Sequence, residues 1–398
     1  MDDIKHHQST KVLEKSWKLV NRELKEKRKK WREKQLMKKA RLAENLKEQI
    51  SFDQRSIDKE KLRYEDSFKV RKVSTVSIAV PGSILDNAQT IDLRYKLASQ
   101  IARAACIYKV DEIVVYDDQG DIVEAEMNKL KRDEVLGEAR PGCLQLARLL
   151  QYCECPQYLR KNFFPQHRDL ERAGILDPLH APHHLRMEDG SLFREGIVTN
   201  KPVKVGKGSL VNVGLSRDIR VDKVLESGLR VTVKIPKNQE NRDNLSGTIV
   251  SPTLPKTETG IYWGYTVRMT PNISEVFANC PYPEGYDLSI GTSDKGSSVD
   301  DVMSKSLKYN HALIVFGGLS GIEAAVENDS NLNISDASLV FHKYLNTCPN
   351  QGSRTIRTEE AVLITLAELR SKLDPEFSSF DHPQFNPRKK SVFESVKK

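Results

Sequence analysis

The chain has 398 residues, of which 38% are hydrophobic, which is enough for two or three globular domains. No run of about 18 apolar residues occurs and the amino terminus lacks an apolar signal-peptide core, so we expect neither a membrane span nor secretion. Residues 1–72 carry 23 Lys and Arg against 13 Asp and Glu, a net charge of +10, whereas the remainder carries 40 against 42. A basic arm of this kind suits a polyanion such as RNA.

The first part of the chain changes from a charged arm to an α/β pattern. Residues 13–61 are rich in Lys, Arg, Glu and Gln without Pro or Gly, which predicts a solvated helix or a partly disordered arm. The folded body is expected from Val73 on. Its predicted elements are a strand over Val76–Val80 that ends at Pro81-Gly82, a helix with Leu93, Leu97, Ile101 and Ala105 on one face, a strand over Ile113–Tyr116 that ends at Asp117-Asp118, and a helix over Leu144–Tyr152. This order favours a parallel sheet with helices on its faces.

The middle of the chain has a different pattern, with short β-branched runs separated by Gly, Pro, Asn and Asp. Five strands are predicted, over Glu195–Thr199, Ser209–Val213, Leu229–Ile235, Gly247–Val250 and Tyr262–Arg268. Five such strands match a small antiparallel barrel of the OB type, which often binds nucleic acid. In that barrel, Tyr262 and Trp263 would either stack on bases or belong to the core.

The α/β pattern then returns, with strands predicted over Tyr286–Ile290, His311–Phe316 and Leu339–Leu345 and a helix that starts at Thr358 as its N-cap. Neither α/β half has enough strands for a covered sheet, so we expect one domain interrupted by the barrel. The predicted divisions are an arm over 1–72, the first α/β part over 73–190, the barrel over 191–278, the second α/β part over 279–374 and a loose tail over 375–398.

Three loops follow the late strands, at residues 291–296, 317–321 and 346–357, and could wall one pocket. Neither the Walker pattern nor G-x-G-x-x-G after a strand is present. The pair Gly317-Gly318 marks either a turn or a ligand contact. The six cysteines include no C-x-x-C pair, and His180, His183 and His184 have no acidic or Cys companion, so no metal site is predicted.

Four segments, at residues 76–83, 286–293, 311–318 and 346–361, resemble the SPOUT superfamily, in the branch named for the SPOUT-domain-containing methyltransferase. The resemblance covers about residues 73–372. It implies a trefoil-knotted α/β domain that binds S-adenosylmethionine, and a homodimer formed through the knot helices beside the cofactor pocket.

The resemblance also assigns site residues. Cofactor contacts are expected from Lys295, where a basic residue near the methionine moiety is implied, and from Gly317, Gly318, Asn346, Thr347, Gln351, Gly352, Ser353 and Ile356. Arg354 and Arg357 are the candidates for holding a phosphate or a developing anion. Arg357 could equally cap the following helix or pair with Glu359 or Glu360. The sequence identifies no general base.

The resemblance, together with the basic arm, predicts an S-adenosylmethionine-dependent RNA methyltransferase that acts on a base, with ribosomal RNA as the first choice. A uridine ring nitrogen is one candidate target, and the sequence leaves the RNA, the base and the atom open. The alternatives are a non-catalytic RNA-binding protein that keeps the fold and a scaffold associated with the spindle or kinetochore. The expected location is the nucleus or nucleolus, with the cytoplasm and mitotic spindle as further sites.

Overall fold

The computed structural model describes residues 72–120, 122, 139–203, 207–236, 245–334 and 336–377. The predicted basic arm, apart from Lys72, and the tail from residue 378 lie outside the described residues. The strands are β1 (Thr75–Pro81), β2 (Glu112–Tyr116), β3 (Phe193–Val198), β4 (Leu210–Asn212), β5 (Ile219–Val221), β6 (Arg230–Lys234), β7 (Ser246–Val250), β8 (Thr266–Thr270), β9 (Leu288–Ser298), β10 (Leu307–Tyr309), β11 (His311–Val315), β12 (Lys343–Asn346) and β13 (Leu373–Pro375).

The helices are α1 (Ile91–Ile107), α2 (Pro141–Glu154), α3 (Gln157–Phe163), α4 (Leu254–Thr259), α5 (Ser274–Ala278), α6 (Gly321–Glu327) and α7 (Thr358–Leu369). Short 3-10 turns cover Gly82–Leu85, Arg168–Leu170, Ala173–Ile175, Val299–Asp301 and Ala337–Val340. Within the described residues, no helix is both long and apolar enough to cross a membrane.

Six parallel strands form the central sheet, in the order β12-β9-β11-β1-β2-β8. Successive residues of β1 serve opposite faces, as the two-residue period of a strand requires. Ile78 and Val80 pack in the core that includes α1, α2 and α7, whereas Ala79 packs with α5 and α6. The predicted parallel sheet with helices on its faces is therefore confirmed.

The second body is a closed barrel of five strands in the order β3-β4-β5-β7-β6, in which β6 returns to pair with β3. Its pairs are antiparallel except β5 with β7, which run parallel. The prediction of a five-stranded barrel is confirmed, but one of the strands assigned to it was wrong. The run Tyr262–Arg268 leads instead into β8, which pairs parallel with β2 in the central sheet. The missing barrel strand is Ile219–Val221, which is only three residues long.

The loop predicted at residues 291–296 was also wrong, because β9 continues through it to Ser298 and pairs with β12. Its glycines permit close packing rather than a turn. A Cβ on Gly291 would lie 2.5 Å from the Phe341 ring, and one on Gly296 would lie 2.5 Å from the backbone carbon of Leu345. Of the strand predicted over Leu339–Leu345, the first part is a 3-10 turn and the strand covers Lys343–Asn346.

Three smaller differences concern element ends. Leu93, placed on the buried face of α1, is 51% exposed, and burial begins at Tyr95. The N-cap of α7 is Arg357 rather than Thr358, which is the first residue of the helix. Chain that was assigned to the loose tail is ordered as far as Phe377, since β13 pairs with β10 and the Ser74 amide donates to the Phe377 carbonyl at 3.0 Å.

Candidate active site

The carboxyl ends of the six parallel strands lie at one edge of the sheet, which is where open α/β sheets bind their ligands. Loops leave this edge after β1, β2, β11 and β12. Hydrogen bonds and close glycine contacts connect these loops to one another, so residues far apart in the sequence meet there.

The loop after β11 is a tight turn built on glycine. The Gly321 amide donates to the Gly318 carbonyl at 3.1 Å, and Gly321 has a φ of 82°. A Cβ on Gly317 would lie 2.5 Å from the backbone nitrogen of Ile322, so the fold itself requires glycine at this position. The turn interpretation of the glycine pair is confirmed here, and its contact with a ligand stays a prediction.

Gly318 faces two polar side chains that sequence analysis did not select. A Cβ on Gly318 would lie 2.6 Å from Asp118 Oδ2 and 3.0 Å from Ser83 Oγ. The Ser83 hydroxyl donates to Asp118 Oδ2 at 2.6 Å. The other carboxylate oxygen, Oδ1, is buried without a hydrogen-bond partner among the described residues, and burial raises the pKa of the Asp118 carboxyl.

A signal for this pair was present in the sequence, because each residue follows the end of a predicted strand. Ser83 comes directly after the Pro81-Gly82 that ends β1, and Asp118 comes two residues after β2. Locally, both positions indicate only the end of a strand. Because parallel strands end at a common edge of the sheet, both are also site candidates.

The loop after β12 is fixed at its start by two of the predicted cofactor residues. Asn346 donates from Nδ2 to the Asp294 carbonyl at 3.1 Å and accepts the Cys348 amide on Oδ1 at 3.0 Å. The hydroxyl of Thr347 lies 2.7 Å from that of Thr365 in α7. Both side chains therefore tie the loop to its neighbours, β9 and α7.

The middle of the same loop, residues 351–356, forms a largely exposed lobe that bonds mainly to itself. Gln351 donates from Nε2 to the Ser353 carbonyl at 3.0 Å, and the Ser353 hydroxyl donates to the Thr355 carbonyl at 2.7 Å. No atom lies within 4 Å of a Cβ built on Gly352. Ile356 is half-buried. The lobe presents backbone groups and open space, which fits the backbone contacts expected of it.

Both candidate catalytic arginines are exposed residues at the end of this lobe. Arg357 occupies the N-cap of α7, where its amide donates to Glu360 Oε2 at 3.1 Å and its carbonyl accepts the Glu360 amide at 3.0 Å. The expectation that Arg357 caps the helix is confirmed. A catalytic role for Arg354 and Arg357 stays a prediction.

Lys295 lies on the extended part of β9, and its ammonium nitrogen is 3.1 Å from Glu323 Oε1 in α6. The Ser293 hydroxyl donates to the same carboxylate oxygen at 3.0 Å. Burial raises the pKa of Glu323, but hydrogen bonds from its own backbone, Lys295 and Ser293 outweigh that effect and lower it. Glu323 was not selected from the sequence, and it joins Lys295 to the helix that follows the glycine turn.

The structure thus brings some of the predicted site residues together more closely than others. Asn346 bonds to the residue next to Lys295, Lys295 pairs with α6, and the Thr358 hydroxyl at the start of α7 donates to the Gly317 carbonyl at 2.9 Å. The hydrogen bonds of Gln351 and Ser353 stay within their own loop.

The histidine segment and the predicted stacking pair lie elsewhere, where the barrel meets the sheet. His183 and His184 both approach the Glu154 carbonyl from Nε2, at 2.9 and 2.7 Å. Tyr262 is buried and donates to the Val110 carbonyl, which confirms the core alternative for this residue. Trp263 donates from Nε1 to Glu195 Oε1 at 2.7 Å. The residues that the structure describes contain no group of three His, Cys, Asp or Glu suited to a metal ion.

The sequence of the chain is similar to a known family of proteins. Residues 75–369 match a family model described as "Putative RNA methyltransferase". A 28S rRNA (uridine-N(3))-methyltransferase of Drosophila melanogaster is 47% identical over 372 residues, which cover 92% of this chain and 75% of the relative.

Proteins with the same name from Mus musculus and Homo sapiens are 52% and 53% identical over 315 and 304 residues. These alignments cover 79% and 75% of this chain, and 80% and 78% of the relatives. The matched model spans both α/β parts and the barrel between them. The chain therefore belongs to this family of RNA methyltransferases.

Proposed function

We propose that the protein transfers a methyl group from S-adenosylmethionine to the N3 atom of a uridine in the RNA of the large ribosomal subunit. The observation that carries the proposal is the identity of 47% to 53% with three relatives named 28S rRNA (uridine-N(3))-methyltransferase. The alignments cover at least 75% of each of these relatives.

The donor supplies a sulfonium-bound methyl group, and the residues of the chain bind and orient the reactants. We assign the adenosine part to the backbone groups of the exposed lobe, from Gln351, Gly352, Ser353 and Ile356, and the methionine part to Lys295. Gly317, Gly318, Asn346 and Thr347 would complete the pocket. The fit is supported by the open space at Gly352, where the fold leaves room for a ligand.

Recognition of RNA is assigned to three parts of the chain. The basic arm over residues 1–72 has a net charge of +10 and would bind phosphates without sequence preference. The five-stranded barrel, in which the third and fifth strands run parallel, supports an OB-like module that holds single-stranded RNA. Arg354 and Arg357 are exposed and would hold the target phosphate or the anion that develops on the base.

The resemblance to the SPOUT superfamily adds an architecture to this proposal. The segment over residues 279–374 would form the trefoil knot, and its helices would pair two copies into a homodimer. A protein that modifies ribosomal RNA works where ribosomes are assembled, so the nucleus or nucleolus is the proposed location; spindle or kinetochore association would be an additional role.

The proposal is tested by titrating the purified protein with S-adenosylmethionine and S-adenosylhomocysteine in a calorimeter. Micromolar binding is expected for the wild type and loss of binding for Gly352→Trp, whose indole would occupy the open space at the lobe. Gly174→Trp is the matched control, since Gly174 is also exposed with no atom within 4 Å of its Cβ. Absence of binding by folded wild-type protein would overturn the enzyme assignment.

A further inference from the structure

We propose that the Ser83 hydroxyl and the Asp118 carboxylate recognise the N3–H group of the target uracil and remove its proton. This inference rests on the proposed function. It supplies the general base that the sequence did not identify.

The hydrogen bond between the two residues runs from Ser83 to Asp118. Ser83 Oγ lies 2.6 Å from Asp118 Oδ2. An ionised carboxylate only accepts hydrogen bonds, so the single hydroxyl proton of Ser83 points to Asp118. The bond is charge-assisted and short, which holds that proton in place. Ser83 Oγ consequently has only lone pairs left to offer a ligand.

The lone pairs of Ser83 Oγ match the hydrogen-bonding edge of uracil and not that of cytosine. N3 of uracil carries a hydrogen and is a donor, whereas N3 of cytosine is an acceptor. An oxygen that can only accept therefore bonds to uracil and meets cytosine lone pair to lone pair. A site built for one hydrogen bond rejects an analogue that cannot make it more strongly than a hydrophobic pocket rejects a change of shape.

The Ser83–Asp118 pair also lies beside the loop that is assigned to the methyl donor. The Cβ contacts of Gly318, at 2.6 Å to Asp118 Oδ2 and 3.0 Å to Ser83 Oγ, place the pair directly against the loop assigned to the methyl donor. Methyl transfer requires the accepting atom within about 3–3.5 Å of the methyl carbon. A base bonded to Ser83 through N3 therefore lies beside the donor pocket.

The N3 proton of uracil leaves through Ser83 to Asp118. The N3–H bond breaks and its proton passes to Ser83 Oγ, while the proton of Ser83 moves to Asp118 Oδ2. The electron pair left on N3 forms the bond to the methyl carbon, and the pair of the breaking carbon–sulfur bond of the sulfonium donor stays on sulfur. Charge therefore balances, because a carboxylate and a cationic donor become a carboxylic acid and a neutral thioether.

Asp118 is the carboxylate of this region that is suited to the task. Its neighbour Asp117 is already occupied by an ion pair with Arg140, with 2.6 Å between Oδ2 and Nη1. Asp118 has instead a neutral hydroxyl partner and a buried oxygen, Oδ1, without a partner among the described residues. Burial raises its pKa, which makes it a stronger base than an exposed aspartate.

The test uses Ser83→Ala and Asp118→Asn in the full-length protein, with two readouts. In the first, binding of two rRNA fragments is measured by fluorescence anisotropy without donor. One fragment carries uridine at the residue that mass spectrometry identifies as methylated, and the other carries cytidine there. The wild type is expected to bind the uridine fragment at least about tenfold more tightly, and Ser83→Ala to bind both equally.

In the second readout, single-turnover formation of N3-methyluridine is expected to fall at least about 100-fold in both variants, a typical loss for general-base catalysis.

Ser99→Ala is the matched control, because Ser99 Oγ also donates to an aspartate, Asp177 Oδ2, at 3.1 Å, but from α1. It should behave as the wild type, and Ser83→Thr, which keeps the hydroxyl, should retain the preference for uridine. Affinity for S-adenosylhomocysteine should stay within about twofold in all variants, since the pair acts on the base.

Equal uridine preference and rate in Ser83→Ala and the wild type would overturn the inference while the proposed function stands. Loss of S-adenosylhomocysteine binding in both variants would also overturn it, because the pair would then be structural. Failure of the wild type itself to bind S-adenosylhomocysteine would instead overturn the proposed function.

Discussion

Two glycines in the candidate site differ in what surrounds them, and the difference separates a structural from a ligand-binding requirement. Gly352 has open space where a side chain would be, so the fold without ligand does not demand glycine there. Gly318 is enclosed by Asp118, Ser83 and the ring of Pro81, so a side chain would displace the pair. Of these two positions, Gly318 is the one at which a single methyl group should alter the protein without ligand.

The change that tests this contrast is Gly318→Ala. The new methyl group would lie 2.6 Å from Asp118 Oδ2, inside van der Waals contact, and the Ser83–Asp118 hydrogen bond would have to give way. We expect the free energy of unfolding to fall by about 1–2 kcal/mol, at the low end for overpacking because the displaced atoms are side-chain ends. Urea denaturation measures the loss. Gly174→Ala should cost well under 1 kcal/mol, and an equal loss in both variants would contradict the explanation.

At the scale of elements, the sequence predicted the interior strands well and the irregular ones poorly. Strands β1, β2 and β11 are buried apolar runs covered on both faces, which is a strong local signal. The barrel strand Ile219–Val221 has only three residues between Asp218 and Asp222, too few to show a period. The extension of β9 depends on close packing against Phe341 and Leu345, which no local pattern encodes.

The sequence predicted the individual loops of the candidate site but not the contact between them. The loops after β11 and β12 are single segments, so their residues could be chosen from the sequence. Ser83 and Asp118 are 35 residues apart and meet because β1 pairs with β2, from Ser77 with Glu112 to Pro81 with Tyr116. Each loop could be suspected separately, but the hydrogen bond between them depends on tertiary structure.

Helix α7 is attached to the sheet edge through its first residue, and this contact can be tested. The hydroxyl of Thr358, which is 9% exposed, donates to the Gly317 carbonyl at 2.9 Å. Thr358→Val keeps the shape and leaves that carbonyl without this donor, so we expect a loss of about 1 kcal/mol of unfolding free energy. Weaker calorimetric binding of S-adenosylhomocysteine should accompany it, because Gly317 is released. Thr248→Val, at an exposed position of β7 in the barrel, is the control, and no difference between the two variants would refute the role of the contact.

At the scale of the whole molecule, the barrel and the sheet are joined by an ionic network around the buried carboxylate of Glu154. Glu154, at the end of α2, accepts from Arg230 of β6 at 2.7 and 3.0 Å, and Arg230 also pairs with Glu195 of β3 at 2.9 Å. His183 Nε2 lies 3.0 Å from Glu154 Oε1. Since charges buried without partners are costly, the network holds only when the two bodies meet in this arrangement. It thereby fixes the position of the barrel relative to the sheet.

This network should make the stability of the protein depend on acid. Burial raises the pKa of Glu154, but hydrogen bonds from His183 and Arg230 outweigh that effect and lower it from 4.5 to about 2. The ionised form is thus favoured by folding, so its contribution is complete above about pH 4.5 and is lost as the pH falls toward 2. His184 lowers the stability over a neighbouring pH range, between about 6.5 and 4. Burial lowers its pKa from 6.5 to about 4, so protonation below neutral pH favours the unfolded chain.

Glu154→Gln isolates the carboxylate from the histidine. At pH 7 the variant should be about 2 kcal/mol less stable than the wild type, because it removes the buried charge to which Arg230 donates its hydrogen bonds. The gap should close as the pH falls from about 5 toward 2, because the wild type then loses the charge that the variant never had. Urea denaturation at a series of pH values measures both curves, and the exposed Glu188→Gln serves as the control. Parallel curves for the wild type and Glu154→Gln over that range would mean that Glu154 does not link the two bodies through its charge.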